Sequence, residues 1–235
     1  MVIRQKLSYI AVIAFSVTIM CLPLLLFGPQ AGHSLYHNIS WAAGFAEQLL
    51  AGDLYPRWLM NMNEGAGSPV FFFYAPIPFY FTSLGFLLCG ECSTTIQLGI
   101  GEWLIILFSS FSYYLFARQY AAPFVSIIGS ILYALAPYHF AIDLLLRQAI
   151  GEITAYIWIP LILLSIDRMA MEKYSVTALA LSYSLLVMTH LPTALFVSMF
   201  LLPYVTILQK YTSCPKLISK FFLVSPLESC FLAHT

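Results

Sequence analysis

Charge is what this sequence has least of. Asp, Glu, Lys and Arg make up 9% of its 235 residues, ten basic against ten acidic, where a soluble domain carries about 25%. That scarcity excludes a water-soluble globule, because too few polar side chains remain to cover an apolar interior. With zero net charge, nothing suggests a nucleic-acid partner. Internal repeats, low-complexity linkers, dinucleotide fingerprints and Ser-His-Asp arrangements are also missing. The turn Gly65-Ala66-Gly67-Ser68-Pro69 lacks the Lys-Ser/Thr pair of a phosphate loop. The five cysteines (Cys21, Cys89, Cys92, Cys214 and Cys230) do not make a disulfide framework. Cys89 and Cys92 form a single CxxC, a weak sign of redox or metal chemistry without a second pair, and they read as incidental.

What is abundant is apolar surface: 61% of residues are hydrophobic and mean hydropathy is +0.87. Lipid must be the solvent for much of this chain. Arg4 and Lys6 precede an apolar run over residues 7–27, long enough to cross about 30 Å of hydrocarbon. With no small-residue cleavage site after it, the run reads as an uncleaved signal anchor. Further apolar segments cover residues 70–88, 98–117, 121–142, 153–169, 176–189 and 191–208.

Lys and Arg collect on the cytoplasmic side of membrane spans, which tests the topology. With 70–88 not crossing, Arg4, Lys6, Arg118, Arg168, Lys173, Lys210, Lys216 and Lys220 lie inside, and Arg57 and Arg147 outside. Letting it cross inverts every later loop and puts seven of the ten outside. The expected fold is therefore an all-α membrane protein of about six transmembrane helices. Segment 70–88, broken by Pro76 and Pro78 and crowded with Phe71, Phe72, Phe73 and Tyr74, dips into or lies along the outer surface. Residues 28–99 form a long outer loop. Within it, Leu35, Ile39, Ala42, Ala46 and Leu49 recur at helical spacing and predict an amphipathic surface helix over 35–50. Residues 54–62 are expected to form another short helix. Residues 1–210 make the polytopic domain and 211–235 a cytoplasmic tail.

This topology gathers polar residues outside. The candidate catalytic acids are Asp143, Glu152, Asp53 and Glu64, and the candidate substrate-binding residues are Arg57, Arg147, His190 and Tyr74. Ionisable groups in or beside a membrane are costly and so are functional candidates. Asp143 and Arg147 stand four apart and can pair, which makes either a structural tie or a substrate contact. Two close carboxylates can hold a divalent cation or position an acceptor hydroxyl. His33 and His37, also four apart, lack the third ligand zinc requires. His190, at the break made by Pro192, either satisfies freed backbone carbonyls or meets a substrate.

Several motifs carry a resemblance. Gly52-Asp53-Leu54-Tyr55-Pro56-Arg57-Trp58, Gly65-Ala66-Gly67-Ser68-Pro69 and Phe72-Phe73-Tyr74-Ala75-Pro76-Ile77-Pro78 come first. Tyr133-Ala134-Leu135-Ala136-Pro137-Tyr138-His139, then Asp143, Arg147 and Glu152, then Thr189-His190-Leu191-Pro192-Thr193 follow. Over about residues 1–210 the chain resembles bacterial polytopic proteins labelled "membrane protein, 6-pyruvoyl-tetrahydropterin synthase-related". Nothing in it looks like the soluble pterin enzyme. More distantly, the layout looks like the N-terminal half of GT-C glycosyltransferases. That resemblance implies a bacterial inner-membrane protein with a cytoplasmic N-terminus, acting at the outer face on a polyprenyl-phosphate-linked sugar, with one acid in each of two outer loops. Its first loop usually opens Gly-His-Asp, whereas this chain has Gly32-His33-Ser34, and Ser34 cannot supply a carboxylate. Family members are longer, so the sequence after Lys210 reads as a truncated or frameshifted end, the alternative being a short natural protein. Two functions remain open: a sugar transferase or its remnant, and a non-catalytic membrane component that binds lipid or partner helices.

Overall fold

The computed structural model describes residues 2–171, 176–212 and 217–222. Its elements are the helices α1 (Val2–Met20), α2 (Leu22–Phe27), α3 (Leu35–Leu50), α4 (Val70–Phe73), α5 (Ile77–Leu88), α6 (Thr94–Ala117), α7 (Pro123–Ala134), α8 (Ile150–Ala170), α9 (Val176–Val187), α10 (Leu191–Tyr211) and α11 (Leu217–Phe222). A π-helix, Tyr138–Arg147, continues from α7 past Pro137. Four helical stretches are long and apolar enough to cross a membrane: Thr94–Ala117, Pro123–Arg147, Ile150–Ala170 and Leu191–Tyr211. That is the signature of a multi-pass membrane protein. Leu7–Met20, Ile77–Leu88 and Val176–Val187 are apolar but shorter. Segment 70–88 splits into α4 and α5 around Tyr74–Pro76, and the 12 residues of α5 rise only about 18 Å.

Three expectations differ from what folds. Residues 54–62 form no helix. Pro56 offers no N–H, and Leu59 instead pairs with Ser68 in a two-way antiparallel bridge, 2.9 and 3.0 Å. The turn between them relies on Gly65 and Gly67 at positive φ. Residues 143–147 are no outer loop, because the π-helix carries Asp143 and leaves only Gln148 and Ala149 before α8. Cys89 and Cys92 are not incidental: they join in a disulfide across the α5–α6 turn, Cα atoms 5.4 Å apart. Of the 211–235 tail, α11 packs with Leu217 and Phe221 buried beside α8 and α10. Residues 213–216 and 223–235, including Cys214 and Cys230, lie outside the described residues.

In lipid, apolar burial does not favour one helix contact over another, so small residues and polar ties set the packing. Gly85 on α5 lets the Gln97 carbonyl of α6 approach, and Gly101 on α6 accepts the Thr82 backbone. A methyl group at either position would collide with those atoms. Gly99 does the same for Leu24 of α2. Ser110 of α6 donates to the Ser130 carbonyl of α7 at 3.0 Å, and the Trp103 indole reaches Thr18 of α1 at 3.1 Å. The surface helix α3 is fastened by aromatic edges: Phe45, Phe71 and Phe79 are mutual neighbours, with centroids 4.8 Å apart in the Phe45–Phe71 and Phe71–Phe79 pairs. Such pairs contribute about 0.5–1.5 kcal/mol each beyond area burial.

At the far end of α8, Asp167 is 1% exposed. Its two oxygens accept hydroxyl hydrogen bonds from Tyr120, in the α6–α7 turn, and Tyr204 of α10. Burial and the Asp167 carboxylate together push the Tyr120 hydroxyl up to about 12.

Candidate functional site

Pro137 ends the α-helical winding of α7, and the chain rewinds as a π-helix, whose extra residue per turn re-aims side chains and recurs at functional sites. Asp143 and Arg147 come to one side of it. The Arg147 Nη1 donates to Asp143 Oδ1 at 2.7 Å, to Glu152 Oε2 at 2.8 Å and to the Tyr138 hydroxyl at 3.1 Å. Tyr138 in turn donates to Glu152 Oε1 at 3.2 Å. The Asp143 side chain is wholly buried, while Arg147 is 46% exposed and Glu152 19%. One guanidinium is therefore shared by two carboxylates. The Tyr156 hydroxyl lies beside Asp143, and the Tyr156 ring stacks on His139, centroids 4.0 Å apart.

The first loop docks on the same place. His33 N–H donates to the Leu146 carbonyl and Ser34 N–H to the Arg147 carbonyl, both at 3.1 Å. Asn38 of α3 donates to the Gln148 carbonyl at 2.6 Å. Gly32 leaves room for the Gln148 side chain. Gly32-His33-Ser34 thus caps the end of the π-helix next to the ion cluster.

His190 connects this cluster to a groove. Its ring lies over Gly151, the residue before Glu152, where a Cβ would be 3.1 Å from the ring carbon Cδ2. Its Nδ1 pairs with Thr193 Oγ1 at 2.7 Å, so the ring serves a side-chain hydroxyl rather than a backbone carbonyl. Burial holds His190 below the usual histidine range. The groove, about 400 Å³, is lined by Tyr55, residues 71–75 and residues 187–192, and so by Tyr74 and His190 together. A bond from Ile77 N–H to the Met188 carbonyl, 3.4 Å, ties its two walls. Arg57 stands over the Phe72 ring at 4.2 Å and the Tyr55 ring at 5.6 Å. Tyr74 packs edge-on against Trp41, and burial raises its hydroxyl above the usual range.

Asp53 and Glu64 are elsewhere. Asp53 is exposed and caps its own turn, accepting the Tyr55 N–H at 3.1 Å. Glu64, exposed and left-handed at φ 58°, borders a separate polar hollow of about 710 Å³ with Tyr36, His37, Trp41 and Glu47. In that hollow Asn61 already holds both Glu47 oxygens at 2.9 Å. Among the described residues no three His, Cys, Asp or Glu side chains converge as metal ligands. Between Asp143 and Glu152 the Arg147 guanidinium occupies the place a divalent cation would need. The residues present do not fit a metal there.

Sequence reasoning missed Tyr138, Tyr156, Asn38 and the docking of Ser34. Only the Tyr-Ala-Leu-Ala-Pro-Tyr-His order around Pro137 hinted at the first. Compared with protein-family models, curated proteins and solved structures, the chain matches none.

Proposed function

We propose that this multi-pass membrane protein binds a lipid-linked ligand at the outer face of a bacterial inner membrane, in the groove between residues 71–75 and 187–192, with its polar head at Arg147 and His190. The N-terminus is cytoplasmic, six segments cross, and α3 to α5 stay on the outer side. The observation that carries this reading is His190 on Gly151, which joins an aromatic-walled groove to a charged cluster. Clefts for small molecules combine apolar walls with a few convergent polar groups. An exposed guanidinium suits an anionic phosphate, and the aromatic wall suits an acyl or prenyl chain.

The resemblance to GT-C enzymes suggests a polyprenyl-phosphate-linked sugar as that ligand. Two observations favour binding over transfer. Ser34 stands where a carboxylate is expected, beside the cluster, and Arg147 engages both Asp143 and Glu152, leaving neither free as a general base. A non-catalytic lipid-binding component is therefore the stronger form of the proposal. Mass spectrometry of lipids retained by the purified chain tests it. A polyprenyl-phosphate species, retained by wild type and lost in Arg147→Gln, is expected; only bulk phospholipid in both would contradict it. Single cysteines at Ser68 and Thr94 in a cysteine-free variant should react alike with an impermeant thiol reagent, and opposite accessibility would overturn the topology.

A further inference from the structure

We propose that Glu102 is a proton-binding site inside the helix bundle, and that the fold described here is its protonated form. Glu102 lies about two turns into α6, a helix of membrane-spanning length, and is 0% exposed. Neither of its carboxyl oxygens accepts a hydrogen bond from the described residues. No Lys, Arg or His among them pairs with it; the ion pairs found there are both made by Arg147. An ionised carboxylate buried without donor or counter-charge costs several kcal/mol or more. A bound proton removes that cost without any added ligand.

The surroundings support this. The titratable group facing Glu102 is the Cys21 thiol, at the α1–α2 junction, which carries no positive charge. The other polar neighbour is the Gln148 side-chain amide. Its Nε2 donates to the Leu144 carbonyl, while its Oε1 is buried with no donor. A carboxylic acid has one O–H to give, and the Gln148 amide oxygen nearby lacks a donor.

Gln148 also gives the protonation of Glu102 a consequence. It lines an apolar crevice of about 320 Å³ with Leu24, Phe27 and Phe140. Its backbone is left-handed, φ 55°, a conformation non-glycine residues seldom adopt. The turn is held by the amide contacts and by Asn38. Losing the Glu102 proton changes what its carboxyl group offers the Gln148 amide beside it, which couples the Gln148 turn to the protonation state. Arg147 immediately precedes Gln148, so the ion cluster moves with the turn.

Infrared difference spectroscopy of the full chain in lipid nanodiscs, titrated with pH, tests it. A carboxylic-acid carbonyl band that persists at about pH 7, where an ordinary Glu with pKa about 4.3 is almost wholly ionised, and that is missing in Glu102→Gln, is expected. Gln148→Leu should shift its frequency. Carbodiimide labelling of wild type, mapped by mass spectrometry, should modify Glu102 and fade as pH rises. No acid band above the ordinary carboxylate range, or one retained in Glu102→Gln, would overturn the assignment. Loss of band and labelling on adding sodium at constant pH would also overturn it, because the site would then hold sodium.

Discussion

Two aspartates, Asp143 and Asp167, are almost equally buried, at 0% and 1%, and lie toward opposite ends of α8, yet their settings differ. Asp167 gives one oxygen to each of two tyrosine hydroxyls from separate parts of the chain. It ties α8 to α10 and to the α6–α7 turn. Asp143 shares a half-exposed arginine with Glu152, and the cluster meets a groove through His190. Burial alone therefore does not distinguish a structural carboxylate from a ligand-facing one. The distinction lies in whether its partner is neutral and enclosed or charged and open to a third group.

The largest expected effect that sharpens this contrast comes from Arg147→Ala. It strands Asp143 in a buried place with no counter-charge, and should cost about 3 kcal/mol in unfolding free energy, the lower end for a broken buried pair because Arg147 itself is half exposed. Arg147→Ala combined with Asp143→Asn should recover part of that loss. Denaturant unfolding in detergent micelles reads both; a loss below about 1 kcal/mol, the level of an exposed pair, would place Asp143 in water.

Next in size is Asp167→Asn, together with Tyr204→Phe. Each removes a hydrogen bond to a carboxylate, worth about 1.5–3 kcal/mol, and the double variant should lose less than the sum. Additive losses would mean that the two do not share one contact.

The smallest effect is a pH dependence. His190 is held below its unfolded pKa of about 6.5 by burial. The unfolded chain then binds more protons between the two values. Its contribution to stability is complete above about pH 6.5 and is lost as pH falls through that value toward the folded pKa. Thermal midpoints should fall on acidification through this window less steeply in His190→Gln than in wild type. Equal slopes would show that His190 does not carry the effect.

Much of this architecture is legible in the sequence where one period dominates. Helical spacing over 35–50 marks α3, and Pro76 and Pro78 mark the break between α4 and α5, because both signals are local. The four-residue step from Asp143 to Arg147 suffices to suggest their pair. The rest depends on tertiary coincidence. Nothing local to Asp167 points to Tyr120, 47 positions away, or to Tyr204, 37 away. The π-helix follows from how the chain rewinds after Pro137, and the docking of Ser34 on Arg147 joins positions more than a hundred residues apart. Residues 54–62, expected to be helical, instead form a turn set by Pro56 and the Leu59–Ser68 bridge, a partner that lies outside the segment.

Equilibrium binding of a fluorescent polyprenyl-phosphate-linked sugar to the full chain in nanodiscs, compared across wild type, Asp143→Asn and Asp167→Asn below the unfolding temperature of each, tests the central claim most directly. Asp143→Asn removes the buried carboxylate that holds Arg147 in place and so disturbs its aim; a loss of affinity of about tenfold, about 1.4 kcal/mol, is predicted, with Asp167→Asn indistinguishable from wild type. Equal losses in both variants, or none in Asp143→Asn, would contradict the assignment of the ligand to the Asp143 end.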